Sequence, residues 1–357
     1  MAARFIAGVQ LAGEFYAEVV RPLLAEDYPG LRYSAALLGP GSEVLGFDSQ
    51  RSTDHDWGPR LQLFLSRDGE PIAPEIGAML AGRLPETFRG YRTAFREPDG
   101  PARHRVRVVG LGTWLERRLG FDASGQVGLL DWLTVPTQRL AEVTAGAVFH
   151  DGLGELNRTR ARLAWYPHDV WRYALACQWQ RIAQEEAFPG RCSEAGDELG
   201  SAVVTARLAR DLMRLFLLMH RRYPPYSKWL GTAFARLPGA TGIASSLAGA
   251  IAATGYSDRE AHLCRAYETA AALHSRLGLT GPVDPATRPF YDRPYQVLDA
   301  GRFTAALLEA IADPRVRRLS VVGTVDQFID STDALGNAAL LRAIGGTVIA
   351  RGVQPID

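Results

Sequence analysis

The sequence predicts an α+β protein in which a small mixed sheet is followed by a helical bundle. Three observations carry this prediction. Between Tyr33 and Val109, short apolar or alternating runs of strand length recur, punctuated by Gly and Pro. From about Pro167 onward, long stretches with apolar residues three and four apart take over. At 357 residues the chain is long enough for two domains of roughly 100–200 residues each. The predicted division is 1–155 for the mixed α/β domain and 156–357 for the helical domain.

Each element follows from its pattern. Phe5, Val9, Leu11, Phe15, Val19 and Leu23 recur near helical spacing, so Arg4–Glu26 reads as an amphipathic helix that Pro29 and Gly30 end. Tyr33–Leu38 is an apolar run that suits a buried strand. Arg60–Leu65 alternates, with Leu61, Leu63 and Leu65 on one face, and His104–Val109 alternates likewise. Glu75–Leu84 reads as a helix led by Pro74, a position where proline is tolerated. Ala147–Phe149 is a further short strand. His168–Phe188, Leu199–Tyr223, Asp258–Leu277 and Val297–Ala312 read as long helices, and Gly281–Pro294 as a connecting loop.

Composition excludes several classes. Basic and acidic residues balance at 40 and 39, with no long basic stripe, so a long nucleic acid is not an expected partner. No apolar run reaches the roughly 18 residues of a spanning helix, and the N-terminus shows no signal pattern, so no membrane partner is expected either. Cys177, Cys192 and Cys264 are odd in number and lack CxxC spacing, which reads as thiols in a reducing compartment. The expected location is the cytoplasm. Every one of the 40 basic residues except Lys228 is Arg. A position that keeps Lys in so Arg-rich a chain is a candidate for needing a compact ammonium; chance is the competing reading.

The chemically informative stretch is Leu38–Leu65. A strand runs into Gly41-Ser42, and Asp54-His55-Asp56 then precedes another strand. Carboxylates two residues apart in extended chain point to one side. Mg²⁺ takes hard oxygen ligands, typically one or two carboxylates with phosphate oxygens. Asp54 and Asp56 are therefore the expected metal ligands and catalytic carboxylates. Gly41 allows close backbone approach to phosphates, and Ser42, read at the start of a helix, offers a hydroxyl and an N–H to an anion. A lone DxD is common in solvated turns; the combination with Gly-Ser between two strands is not. Arg60, four residues past the motif, is a further candidate nucleotide-binding residue, set against a plain surface Arg on a strand.

Gly41-Ser42 followed by Asp54-x-Asp56 resembles the signature of the polymerase-β-like nucleotidyltransferase superfamily. Ser52, Asp54, His55, Asp56 and Trp57, with Tyr223, Pro225, Tyr226, Lys228 and Trp229 downstream, look like a bacterial domain-of-unknown-function family within it. The resemblance runs from about residue 30 to 240. It implies a nucleotidyltransferase domain followed by a helical domain, as in aminoglycoside and lincosamide nucleotidyltransferases. The pattern departs at His55, where the superfamily usually has an apolar residue. It departs also at His104–Val109, which holds Arg105 and Arg107 where many members carry a third acid. Asp197 and Glu198 are the first choices for that acid, with Asp151 and Asp131 behind them; each is also a candidate helix cap or surface acid. Asp48 is either a support for the motif or a surface turn acid.

Lys228, after the paired prolines that end a long helix, is expected to meet the triphosphate as a point charge. The competing reading is a basic helix C-terminus with aromatic packing. Arg214 and His220 loosely resemble the Arg-His pair of helical ribonuclease toxins. The expected function is Mg²⁺-dependent nucleotidyl transfer from a nucleoside triphosphate, ATP, to an acceptor, with a small molecule favoured over a protein or an RNA end. The alternatives are a catalytically weak nucleotide-binding regulator or antitoxin-like module, and a helical interaction protein.

Overall fold

The computed structural model describes residues 5–54, 57–96 and 102–351. The chain divides into two units, Met1–Val127 with Arg139–Ala164, and Gly128–Gln138 with Trp165–Asp357. The expected boundary at 155/156 thus falls inside the first unit. Helix Leu156–Leu163 buries Leu156 and Leu163 there, and its Arg160 donates to the carbonyls of Val143, Thr144 and Ala145.

The first unit is built on a mixed four-stranded sheet. Its strands are β1 (Tyr33–Leu37), β2 (Leu61–Leu65), β3 (Val106–Gly110) and β4 (Ala147–Asp151), in the order β3-β2-β1-β4. β1 pairs antiparallel with both β2 and β4, and β2 pairs parallel with β3. A parallel pair needs a crossover, which the helix Ala73–Arg83 provides. β1 and β2 are buried at every residue; β1 reads as an apolar run, while β2 reads as alternating because the buried Gln62 interrupts its apolar residues. Buried Gln62 accepts the Leu38 N–H and donates to the Leu38 carbonyl, extending the β1–β2 pairing past the last strand residue.

The expected opening helix is interrupted. Gly8–Phe15 (α1) passes through a π-turn, Tyr16–Val20, into Arg21–Asp27 (α2). Pro22 has no N–H to continue the regular ladder, and the Arg21 N–H reaches back to the Tyr16 carbonyl instead. Leu11, Phe15, Val20 and Leu24 pack with Leu61, Leu63 and Leu65 in one core. The third strand begins at Val106, not His104, because Ala102–His104 pairs with Ala94–Arg96.

The second unit is helical and carries its own core. Its main members are His168–Glu185, Glu198–Met219, Tyr256–Arg276 and Gly301–Glu309. Trp179 is fully buried, stacks on Phe303 at 4.6 Å and donates to His274 Nδ1 at 3.2 Å. The helix expected to reach Tyr223 stops at Met219: Arg221 adopts φ 53° and Pro224-Pro225 follow. Among the described residues, no helix is long and apolar enough to cross a membrane.

Candidate functional site

The stretch between β1 and β2 is the site the sequence singled out. β1 runs into the Gly39–Ser42 turn. Ser42 opens not the expected helix but a closed turn, in which the Phe47 N–H donates to the Ser42 carbonyl at 2.8 Å. A 3-10 helix, Gln50–Asp54, follows. Asp54 closes it; the Asp54 side chain, His55 and Asp56 lie outside the described residues.

The flanks of the motif are well fixed. Before it, the Ser52 hydroxyl accepts the Ser49 N–H at 3.1 Å and lies 3.4 Å from the Ser42 hydroxyl, which joins the Gly-Ser turn to the segment leading into Asp54. After it, Trp57 is buried, stacked near Phe5 at 5.7 Å and met edge-on by Tyr91 at 4.9 Å. The Asp48 Oδ2 accepts both the Trp57 indole N–H and the Gly8 N–H at the start of α1. A Cβ on Gly8 would stand 2.6 Å from Glu43 Cβ and 2.9 Å from Trp57 Nε1, so only glycine lets α1 approach this closely. Asp48 is therefore an anchor for the chain on either side of the motif and not a free turn acid.

Arg60 has a different setting from the one expected. Its guanidinium pairs with the buried Glu43 carboxylate and donates to the Pro40 carbonyl. Gly41 has φ 141°, and a Cβ there would run into both the Arg60 and the Glu43 side chains. In this arrangement the glycine makes room for an internal ion pair, and Arg60 braces the turn.

The acids proposed as a third carboxylate are each engaged. Asp197 caps the helix Glu198–Met219, accepting the Gly200 N–H at 2.7 Å. Glu198 accepts from the Ser193 hydroxyl at 2.5 Å and from buried Arg259 at 3.0 Å, and these bonds hold its carboxyl below the usual range. Asp151 accepts from the Ser34 hydroxyl and the N–H groups of Gly154 and Asn157; burial opposes its ionisation, but these donors outweigh it and lower its pKa. Asp131 caps its own helix through the Gly128 N–H and pairs with Arg342. The cap signal at Asp197 was legible, since that acid stands just before an expected long helix. Glu43 and its pairing with Arg60 were missed, and no local signal marks them.

Lys228 and the remaining helical candidates belong to the second unit. Lys228 is exposed in the first turn of Ser227–Ala235, not at a helix C-terminus, and its ammonium lies 5.1 Å from the Trp229 ring centroid. Arg214 and His220 are not brought together: Arg214 donates to the Asp326 carbonyl at 2.6 Å, and His220 Nδ1 pairs with the Phe216 carbonyl. Among the described residues, no three His, Cys, Asp or Glu side chains gather as a metal site. Asp54 and Asp56 are two hard carboxylate donors, the type that Mg²⁺ takes.

A family model described as a domain of unknown function (DUF4037) matches residues 132–230. That span includes Lys228 and leaves the Asp54–Asp56 segment outside it. No curated protein and no solved structure matches the chain.

Proposed function

We propose that the protein binds ATP as its magnesium complex at Asp54 and Asp56 and transfers the nucleotidyl group to an acceptor hydroxyl. The observation that carries this reading is the tie between the two halves of the motif. The Gly41-Ser42 turn and the segment entering Asp54 meet through the Ser42 and Ser52 hydroxyls, and Trp57 is anchored on the far side by Asp48. Fixed flanks suit a site that must hold a triphosphate in line with its acceptor, where positioning supplies much of the rate. Bound Mg²⁺ would supply charge neutralisation at the phosphates. In the transfer, the acceptor oxygen attacks the α-phosphorus, the bond from that phosphorus to the bridging oxygen breaks, pyrophosphate leaves with the electron pair, and the acceptor proton passes to a base. The cytoplasm is the proposed setting, in keeping with three free thiols.

A second reading, a nucleotide-binding regulator with little catalysis, is favoured by one observation. Asp131, Asp151, Asp197 and Glu198 all serve as caps or ion-pair partners, so none stands ready as a general base.

Calorimetric titration of a nonhydrolysable ATP analogue with Mg²⁺, on the wild type and on Asp54→Asn/Asp56→Asn, tests both readings. The expected result is metal-dependent binding that the double variant loses. A folded wild type that binds no triphosphate would overturn both. Binding without pyrophosphate release across an acceptor panel would favour the regulator. Lys228→Ala in the same titration tests the expected role of that side chain.

A further inference from the structure

Arg60, the phosphate-binding residue expected beside the motif, is committed elsewhere: its guanidinium pairs with Glu43 and donates to the Pro40 carbonyl. A second arginine stands next to it. β2 and β3 run parallel in the register Leu61↔Val106, and the Leu61 N–H donates to the Arg105 carbonyl at 3.3 Å. Arg60 and Arg105 thus enter adjacent strands from the same end of the sheet. In the chain, that end of β2 is the one that follows Asp54-x-Asp56.

The half-buried Arg105 side chain is seated on an aromatic ring. Its guanidinium carbon lies 4.1 Å from the centroid of Phe95. Phe95 belongs to the strand Ala94–Arg96, which pairs with Ala102–His104 just before Arg105. The same ring meets Gly58, two residues past Asp56. A Cβ on Gly58 would stand 2.7 Å from Phe95 Cζ, and its φ of 152° is one that glycine takes freely. Glycine there lets the Phe95 ring, with the guanidinium it carries, come up against the backbone leaving the motif. Stacking orients a guanidinium through its face, while its N–H donors lie in the plane and match phosphate oxygens two at a time. Arg107, by contrast, is exposed and stands opposite Gln62, further along the sheet.

We propose that Arg105, seated on Phe95, binds the phosphates of the nucleotide at the Asp54-x-Asp56 site, in the place expected of Arg60. This role rests on the nucleotide reading of the site given above and adds a phosphate ligand to it.

Calorimetric titration of the nonhydrolysable ATP analogue with Mg²⁺ tests the role on the wild type, Arg105→Ala and Arg107→Ala, with adenosine as a second probe. Arg105→Ala is expected to weaken binding of the analogue by about tenfold or more and to leave adenosine affinity unchanged, because a charged donor to phosphate is lost while the nucleoside contacts stay. Arg107→Ala should bind the analogue within about twofold of the wild type, since an exposed charge acts only through screened solvent. Wild-type affinity of Arg105→Ala for the analogue would overturn the role of Arg105 and leave the nucleotide site standing. Equal loss of analogue and adenosine, or equal loss in Arg107→Ala, would do the same. A wild type that binds no triphosphate would overturn the nucleotide reading, and this role with it. Arg105→Met keeps an apolar stem on Phe95 and serves if the alanine variant fails to fold. The same loss of about tenfold is expected of it, and wild-type affinity there would equally overturn the role.

Discussion

The Trp57 indole N–H donates to Asp48 Oδ2 across 3.2 Å, and the same oxygen accepts the Gly8 N–H at 2.7 Å. One carboxylate oxygen thereby joins α1, the loop after β1 and the residue that follows Asp56.

Asp48→Ala removes the acceptor for two N–H groups. The expected cost is about 1–3 kcal/mol in urea unfolding, with a red shift of tryptophan emission. Asp48→Asn keeps an oxygen acceptor and should recover most of the loss. Equal stability of the alanine variant and the wild type would show that the bonds contribute nothing net.

Glu43→Gln leaves the Arg60 guanidinium beside a neutral amide in a buried setting. A loss of about 3–5 kcal/mol is expected on breaking such a pair. Gly41→Ala should destabilise by about 1–3 kcal/mol, since φ 141° strains any side chain and the new methyl meets the ion pair. Chemical denaturation midpoints measure both, and a neutral Gly41→Ala would refute this packing of the turn against the Arg60–Glu43 pair.

His274 is buried, and burial lowers its pKa from the usual 6.5 to about 4. Its Nδ1 accepts from Trp179, so the folded ring is neutral, while the unfolded chain takes a proton below 6.5. The stability this group contributes is full above pH 6.5 and lost as pH falls toward 4, by on the order of 3 kcal/mol. His274→Gln should flatten that part of the pH profile relative to wild type.

Glu186 shifts the other way. Burial raises its carboxyl from the usual 4.5 to about 7, although the Leu298, Asp299 and Ala300 N–H groups all point at it. The folded state therefore holds a proton that the unfolded state releases. Its contribution is full below pH 4.5 and lost as pH rises through 7. Unfolding of Glu186→Gln across pH 4.5–7.5 should lack this slope; an unchanged slope would place the titration elsewhere.

Much of the architecture was legible from local pattern. β1 and β2 appear within a residue or so of their expected bounds, as do the long helices Glu198–Met219 and Tyr256–Arg276 at their starts or ends. The short helices Leu129–Thr134 and Thr137–Thr144 were not legible, because each is too brief to show a period and Pro136 separates them. The Asp54-x-Asp56 spacing, the Gly-Ser turn and the solitary Lys228 stand out in the sequence without any coordinates.

What the chain alone determined is what short-range rules set: helical and strand period, turn chemistry at Gly and Pro, and the carboxylate spacing of the motif. Only the tertiary structure decided which charges are occupied. Arg60 finds Glu43 at a separation of 17 residues, and Thr137 finds Asp326 at 189. Hydrogen bonds and ion pairs depend on distance and desolvation in space, and neither is set by proximity along the chain.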